Sequence, residues 1–138
     1  MAQAIVVTLE KELPDASADY AKAKSGKALA RETNRLDLAA RIRKVPQITS
    51  LLSESPAALI EQMKEAGMDP AKMRIPPEQW YPAADGLQTV RALLEHIPAN
   101  MKDFKQPNPI LRDLKAAEAL LAAADTAGVR FHFTKAEV

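Results

Sequence analysis

The sequence predicts an α+β fold, mainly helical, in which about four helices are tied together by a small sheet of N-terminal and C-terminal strands. Three observations predict it. β-Branched or aromatic runs stand near the two ends, Ile5-Val6-Val7-Thr8-Leu9 and Val129-Arg130-Phe131-His132-Phe133-Thr134. Between them apolar residues recur at helical spacing. Prolines and glycines punctuate those stretches at the helix ends they favour. The 138 residues, 47% hydrophobic and 27% charged, fit one globular domain spanning 1–138.

Residues 4–10 read as a strand with Ile5, Val7 and Leu9 on one face. Leu13-Pro14-Asp15 turns the chain. The stretch 15–24 has helix-forming composition but little amphipathicity, and Ser25-Gly26 is a cap or a break. Leu29, Leu36 and Ala39-Ala40 give a helix over 27–43, stopped by Val45-Pro46. Residues 47–52 are either a short strand or a buried loop. Ser55 as N-cap and Pro56 at the first position open a helix over 56–66, striped by Leu59, Ile60 and Met63. Gly67 suits its left-handed end, with Met68 packed behind.

Four prolines between 69 and 82 forbid a regular helix there, so this segment should cross the surface, pinned by Trp80 and Tyr81. A helix over 83–97 follows, with Leu87, Val90, Leu93, Leu94 and Ile97 inward. Gly86 within it costs about 1 kcal/mol relative to alanine, which points to close approach by a neighbour such as the Trp80 ring. Glu95, four residues after Arg91, reads as its surface partner. Asn108-Pro109 predicts the cap and first residue of a helix over 109–127, ended by Gly128. In the last strand the alternation puts Val129, Phe131 and Phe133 inward and Arg130, His132 and Thr134 outward.

Composition removes much chemistry. With no cysteine there is no disulfide, thiolate metal site or cysteine nucleophile, and two histidines cannot make a three-histidine centre. His96 and His132 read as ordinary, partly exposed side chains. Neither GxSxG nor a glycine-rich phosphate loop is present, and capping explains Ser50, Ser53 and Ser55. No catalytic, cofactor-binding or metal-ligating residue is therefore assigned. No apolar run is long enough to span a membrane, and the start lacks a basic leader, so a cytoplasmic protein is expected.

Net charge is +1, but residues 22–44 hold eight basic side chains against Glu32 and Asp37. Lys27, Arg31 and Arg35, spaced by four, line one helical face as candidate phosphate contacts. Trp80 and Tyr81 are the candidate protein interface, together with any exposed strand edge.

Pro77-Glu78-Gln79-Trp80-Tyr81-Pro82-Ala83-Ala84-Asp85-Gly86-Leu87 and its continuation to Ile97 resemble a set of small uncharacterised bacterial proteins. The ending Ala127-Gly128-Val129-Arg130-Phe131-His132-Phe133 does so too, and more loosely Leu36-Asp37, Leu51-Leu52-Ser53 and Ser55-Pro56. The resemblance implies a bacterial, free-standing single-domain protein and carries no activity with it. The expectation is thus a non-enzymatic protein acting on a protein partner or on a second copy, in a regulatory or immunity-type role. Nucleic-acid association through the basic 22–44 helix is one alternative. An enzyme whose site assembles only in the fold, around His96 and a carboxylate, is the other.

Overall fold

A computed structural model describes residues 3–53, 56–72, 75 and 77–137. Strand β1 (Gln3–Leu9) leads into helices α1 (Pro14–Ala23), α2 (Lys27–Arg31) and α3 (Thr33–Ile42). Helices α4 (Pro56–Glu65), α5 (Ala83–Ala99) and α6 (Pro107–Ala127) follow, and β2 (Phe131–Glu137) closes the chain. The expected pairing of the terminal strands holds. They run antiparallel, Gln3 opposite Glu137 through Leu9 opposite Phe131. Ser55 lies outside the described residues.

Six helices are seen among the described residues, not about four, and two local causes explain the difference. The weakly amphipathic 15–24 stretch is helical after all: Pro14 sits in its first turn, and Tyr20 is its one large anchor to the core. The expected 27–43 helix is broken at Glu32 (φ −119°, ψ 29°). There the buried Glu32 carboxylate turns away to accept hydrogen bonds from the Lys105 and Gln106 amides, at 2.6 and 3.1 Å. Those two amides precede α6, so a carboxylate from the α2–α3 junction serves the chain as it enters that helix. This is why α6 starts at Pro107, with Asn108 inside the helix rather than capping it.

The 47–52 stretch is a 3-10 turn over Thr49–Leu51, with Leu52 bridged to Phe133. Helix α5 runs two residues past its expected end, through Pro98. The Asn100 side-chain amide donates to the His96 carbonyl (2.9 Å), serving an acceptor in the last turn. Met68 and Gly67 close α4 as expected, their amides reaching the Met63 and Lys64 carbonyls, but the Met68 side chain is exposed. Arg91 pairs with Glu118 of α6 rather than with Glu95.

The core lies between the α5–α6 hairpin and the sheet face carrying Ile5, Val7, Phe131 and Phe133. Val90, Leu93 and Ile97 meet Ile110, Leu114 and Leu121, all fully buried. The close approach at Gly86 is made by Phe131, not Trp80. A β-carbon at Gly86 would fall within 2.8 Å of Cε1 of that ring, with a still closer contact at Cζ. Gly86→Ala is therefore expected to destabilise the protein by about 2 kcal/mol, overpacking outweighing the helix-propensity gain. Urea denaturation checks this; a midpoint at or above wild type would mean that the ring moves aside freely.

The outer edge of β2 is closed by the chain itself. Tyr81 exchanges both backbone hydrogen bonds with Phe131 (2.8 and 2.9 Å), and the Ser53 amide donates to the Phe133 carbonyl. On the far side the Ile5 amide donates to Gly26 and the Val7 amide to the Tyr20 hydroxyl. The strand edges are thus blunted over most of their length and do not offer the pairing surface expected of them.

Candidate anion-binding cleft

Both histidines are buried, against expectation. His132 does point to the side opposite Phe131 and Phe133, as the alternation requires, but residues 78–81 roof that side. Trp80 lies against its ring, tilted by 41° at 4.5 Å between centroids, and Glu78 meets Nε2 at 2.7 Å, leaving His132 1% exposed. Its Nδ1 lies 3.1 Å from the Thr134 hydroxyl, which is 2.7 Å from that of Thr8. This hydroxyl–imidazole–carboxylate chain has the connectivity of a nucleophilic triad. Its imidazole is sealed, however, and it ties the roof to the sheet. His96 is buried too: Arg43 Nε donates to its Nδ1 (3.1 Å), so that nitrogen acts as acceptor and has no carboxylate on it.

Trp80 spends its ring on His132 and Tyr81 its backbone on Phe131, and both are half-buried. The two therefore serve first as a lid over the sheet.

The basic triad read from the sequence does not form one ridge. The break at Glu32 divides it, and Lys27 borders a different hollow from Arg31 and Arg35. Instead Arg31 and Arg35 line a cleft of about 370 Å³ together with Lys105 and Lys135. Lys105 arrives from the turn before α6, and Lys135 from β2, opposite Ile5 in the sheet register. Four cations from four segments thus converge on one concavity.

Their neighbours show which groups remain available. Glu32, 7% exposed, is the carboxylate at this cleft, and both its oxygens are taken by amides, with Arg35 3.4 Å from one of them. Arg31 donates to the Gln106 side chain (2.9 Å). The Thr33 hydroxyl donates to the Leu29 and Ala30 carbonyls, and that of Thr49 to Asp37. Lys105 and Lys135 have no ion pair among the described residues. Lys105 and Lys135 are therefore the uncommitted cations among the described lining residues, and a concave wall focuses their field.

The acidic members of the fold are elsewhere. Asp113 is buried and accepts from the Ala28 amide (3.0 Å), pinning α2 to α6. Burial raises the Tyr20 phenol above the ordinary tyrosine value, opposed by the Val7 amide that donates to its oxygen. No group of three or more potential metal ligands is found among the described residues.

Arg31 and Arg35 were legible in the sequence as a basic face. Lys105 and Lys135 carry no local signal, since only the folded chain brings positions so far apart together. No helix among the described residues is long and apolar enough to cross a membrane. Comparison with protein-family models, with curated proteins and with solved structures finds no match for this chain.

Proposed function

We propose that the protein is a non-catalytic binding protein, regulatory in character, whose ligand is a small phosphate-bearing molecule held in the Arg31–Arg35–Lys105–Lys135 cleft. The observation that carries this reading is the convergence of four cations from four segments on a single hollow. Guanidinium groups match phosphate oxygens in a bidentate fork, while lysines supply adaptable point charge. A volume near 370 Å³ sits at the small end of ligand pockets, about 300–1,000 Å³. Among the described residues no aromatic ring lines the cleft, so a nucleobase would find no stacking platform there. Binding without turnover is supported by the commitments around it. The carboxylate and threonine hydroxyls beside it are held by the fold, leaving no ready base or nucleophile among the described lining residues.

Titration calorimetry with inorganic pyrophosphate tests the reading. Binding should be saturable and weaken with added salt. Lys105→Ala/Lys135→Ala should reduce affinity roughly 30-fold, taking about 1 kcal/mol for each exposed charge contact. Both lysines are exposed, so the variant should melt like wild type. Absence of saturable pyrophosphate binding would reject the reading. If a single-stranded oligonucleotide bound instead, with the salt dependence of a polyanion, the nucleic-acid alternative would replace it.

A further inference from the structure

The concavity at the cationic cleft does not end at Arg35. That side chain also lines a neighbouring hollow of about 360 Å³, and the two hollows share both walls. One wall is α3: Thr33 and Arg35 border the cleft, while Arg35, Leu38 and Ile42 border its neighbour. The other wall is the turn before α6, where Lys105 belongs to the cleft and Lys102, Asp103 and Phe104 to the second hollow. The two are successive stretches of one groove. Between Arg35 and Ile42 the second stretch follows α3 for about 10 Å, at a rise of about 1.5 Å per residue.

The groove changes character along its length. At the cleft end it offers cations, with Lys105 and Lys135 uncommitted. Beyond Arg35 charge is offset or engaged: Lys102 is followed by Asp103, both lining the hollow, and Arg43 at the end of α3 gives its Nε to the buried His96. The remaining lining is apolar. Phe104 is 6% exposed, whereas Leu38 and Ile42, at 51% and 61%, are the two most exposed large hydrophobic side chains among the described residues. A single exposed aliphatic residue is ordinary. These two stand one turn apart on the same side of α3, and both border the hollow.

We infer that the ligand of the cationic cleft carries an apolar tail: it is a single-chain alkyl or prenyl phosphate, its phosphate among Arg31, Arg35, Lys105 and Lys135 and its hydrocarbon along Leu38, Ile42 and Phe104. The inference rests on the phosphate reading of the cleft and supplies the other half of the molecule. Charge fixes the direction in which it lies. Four cations hold the head at one end, and Asp103 repels a head placed at the other. The tail leaves water for aliphatic surface that the free protein leaves exposed, in a concavity already shaped to receive it. A hollow of about 360 Å³ suits one medium-length chain.

Calorimetry with octyl phosphate, methyl phosphate and octanol separates head from tail, with octyl phosphate kept too dilute to form micelles. Octyl phosphate should bind at least about 10-fold more tightly than either methyl phosphate or octanol. The methyl resonances of Leu38 and Ile42 should shift with octyl phosphate and stay in place with methyl phosphate. Leu38→Gln/Ile42→Gln changes two exposed positions and should melt like wild type. It should bring octyl phosphate down to the affinity of methyl phosphate and leave pyrophosphate affinity unchanged. Pyrophosphate binding with equal affinity for octyl and methyl phosphate would overturn the tail and leave the cleft reading standing. Absence of binding by every phosphate would end both. Two other results would also overturn the inference. Capture of the protein by phosphatidate vesicles without octyl phosphate binding would put a bilayer on this face. A dimer that Leu38→Gln/Ile42→Gln dissolves would give the face to a second copy.

Discussion

A chain ending at Gly128 is expected to lose cooperative unfolding altogether. The deleted segment includes Phe131 and Phe133, which are 0% and 1% exposed and pack edge to face at 5.3 Å. Truncating one buried phenylalanine typically removes about 3–5 kcal/mol, so losing two approaches the whole stability of a domain, about 5–15 kcal/mol. The loss spreads further. β1 would be left without its ladder partner, and a lone strand is not stable in water. Tyr81 and Ser53 would lose the backbone partners that hold their segments against the sheet. The Gly86 notch on α5, shaped around the Phe131 ring, would open to solvent. Circular dichroism through a urea titration decides it. A sigmoidal transition with the wild-type slope would place β2 outside the cooperative core. Phe131→Ala is the graded version and should keep a cooperative melt, about 3–5 kcal/mol less stable.

Gly26→Ala is expected to be the most damaging single methyl addition in the protein, costing about 3 kcal/mol. Two effects coincide there. The backbone adopts φ 114°, a region that residues with a β-carbon rarely visit, with a strain cost of about 1–3 kcal/mol. The new β-carbon would also overlap the Ile5 carbonyl oxygen and lie 3.1 Å from its carbonyl carbon. That backbone cannot yield, because the Ile5 amide donates to the Gly26 carbonyl (3.0 Å) and the same carbonyl accepts the Ala30 amide that starts α2. Relieving the overlap breaks the junction of β1 with α2, at about 1 kcal/mol for a lost hydrogen bond. Thermal unfolding should show a midpoint lower by roughly 12 °C for a domain of this size. A midpoint within about 3 °C of wild type would mean that the 24–26 turn has another conformation open to it. Gly67→Ala makes a useful control. Its φ is also positive, but a β-carbon there meets nothing within 4 Å, so its cost should be the smaller of the two.

Comparison of particular elements shows where local sequence suffices. The 131–134 alternation correctly separates Phe131 and Phe133 from His132, because a strand has a period of two whatever surrounds it. It says nothing of what covers each side. His132 is sealed by Trp80 and Glu78, more than fifty positions earlier, and no local pattern announces that roof. Helix α6 shows the same limit at its start. Asn108-Pro109 is a sound local capping signal, yet the Glu32 carboxylate overrides it by serving the amides two and three residues upstream. The same interaction breaks the 27–43 helix, so one distant contact accounts for two departures from local expectation.

What the sequence by itself determined are the properties that depend on short-range covalent geometry and on averages. These include the mainly helical α+β class, the strand character of the two terminal runs, the helix ends at Gly67 and Gly128, and the absence of cysteine chemistry. Tertiary structure decided everything that rests on through-space proximity. It closed the strand edges with Tyr81 and Ser53, buried both histidines, and set Phe131 rather than Trp80 against Gly86. It also broke the helix between Arg31 and Arg35, and brought Lys105 and Lys135 to complete the cationic cleft. The physical reason is common to all of these. Backbone preference acts over a few residues, whereas burial and charge clustering act across the whole folded chain.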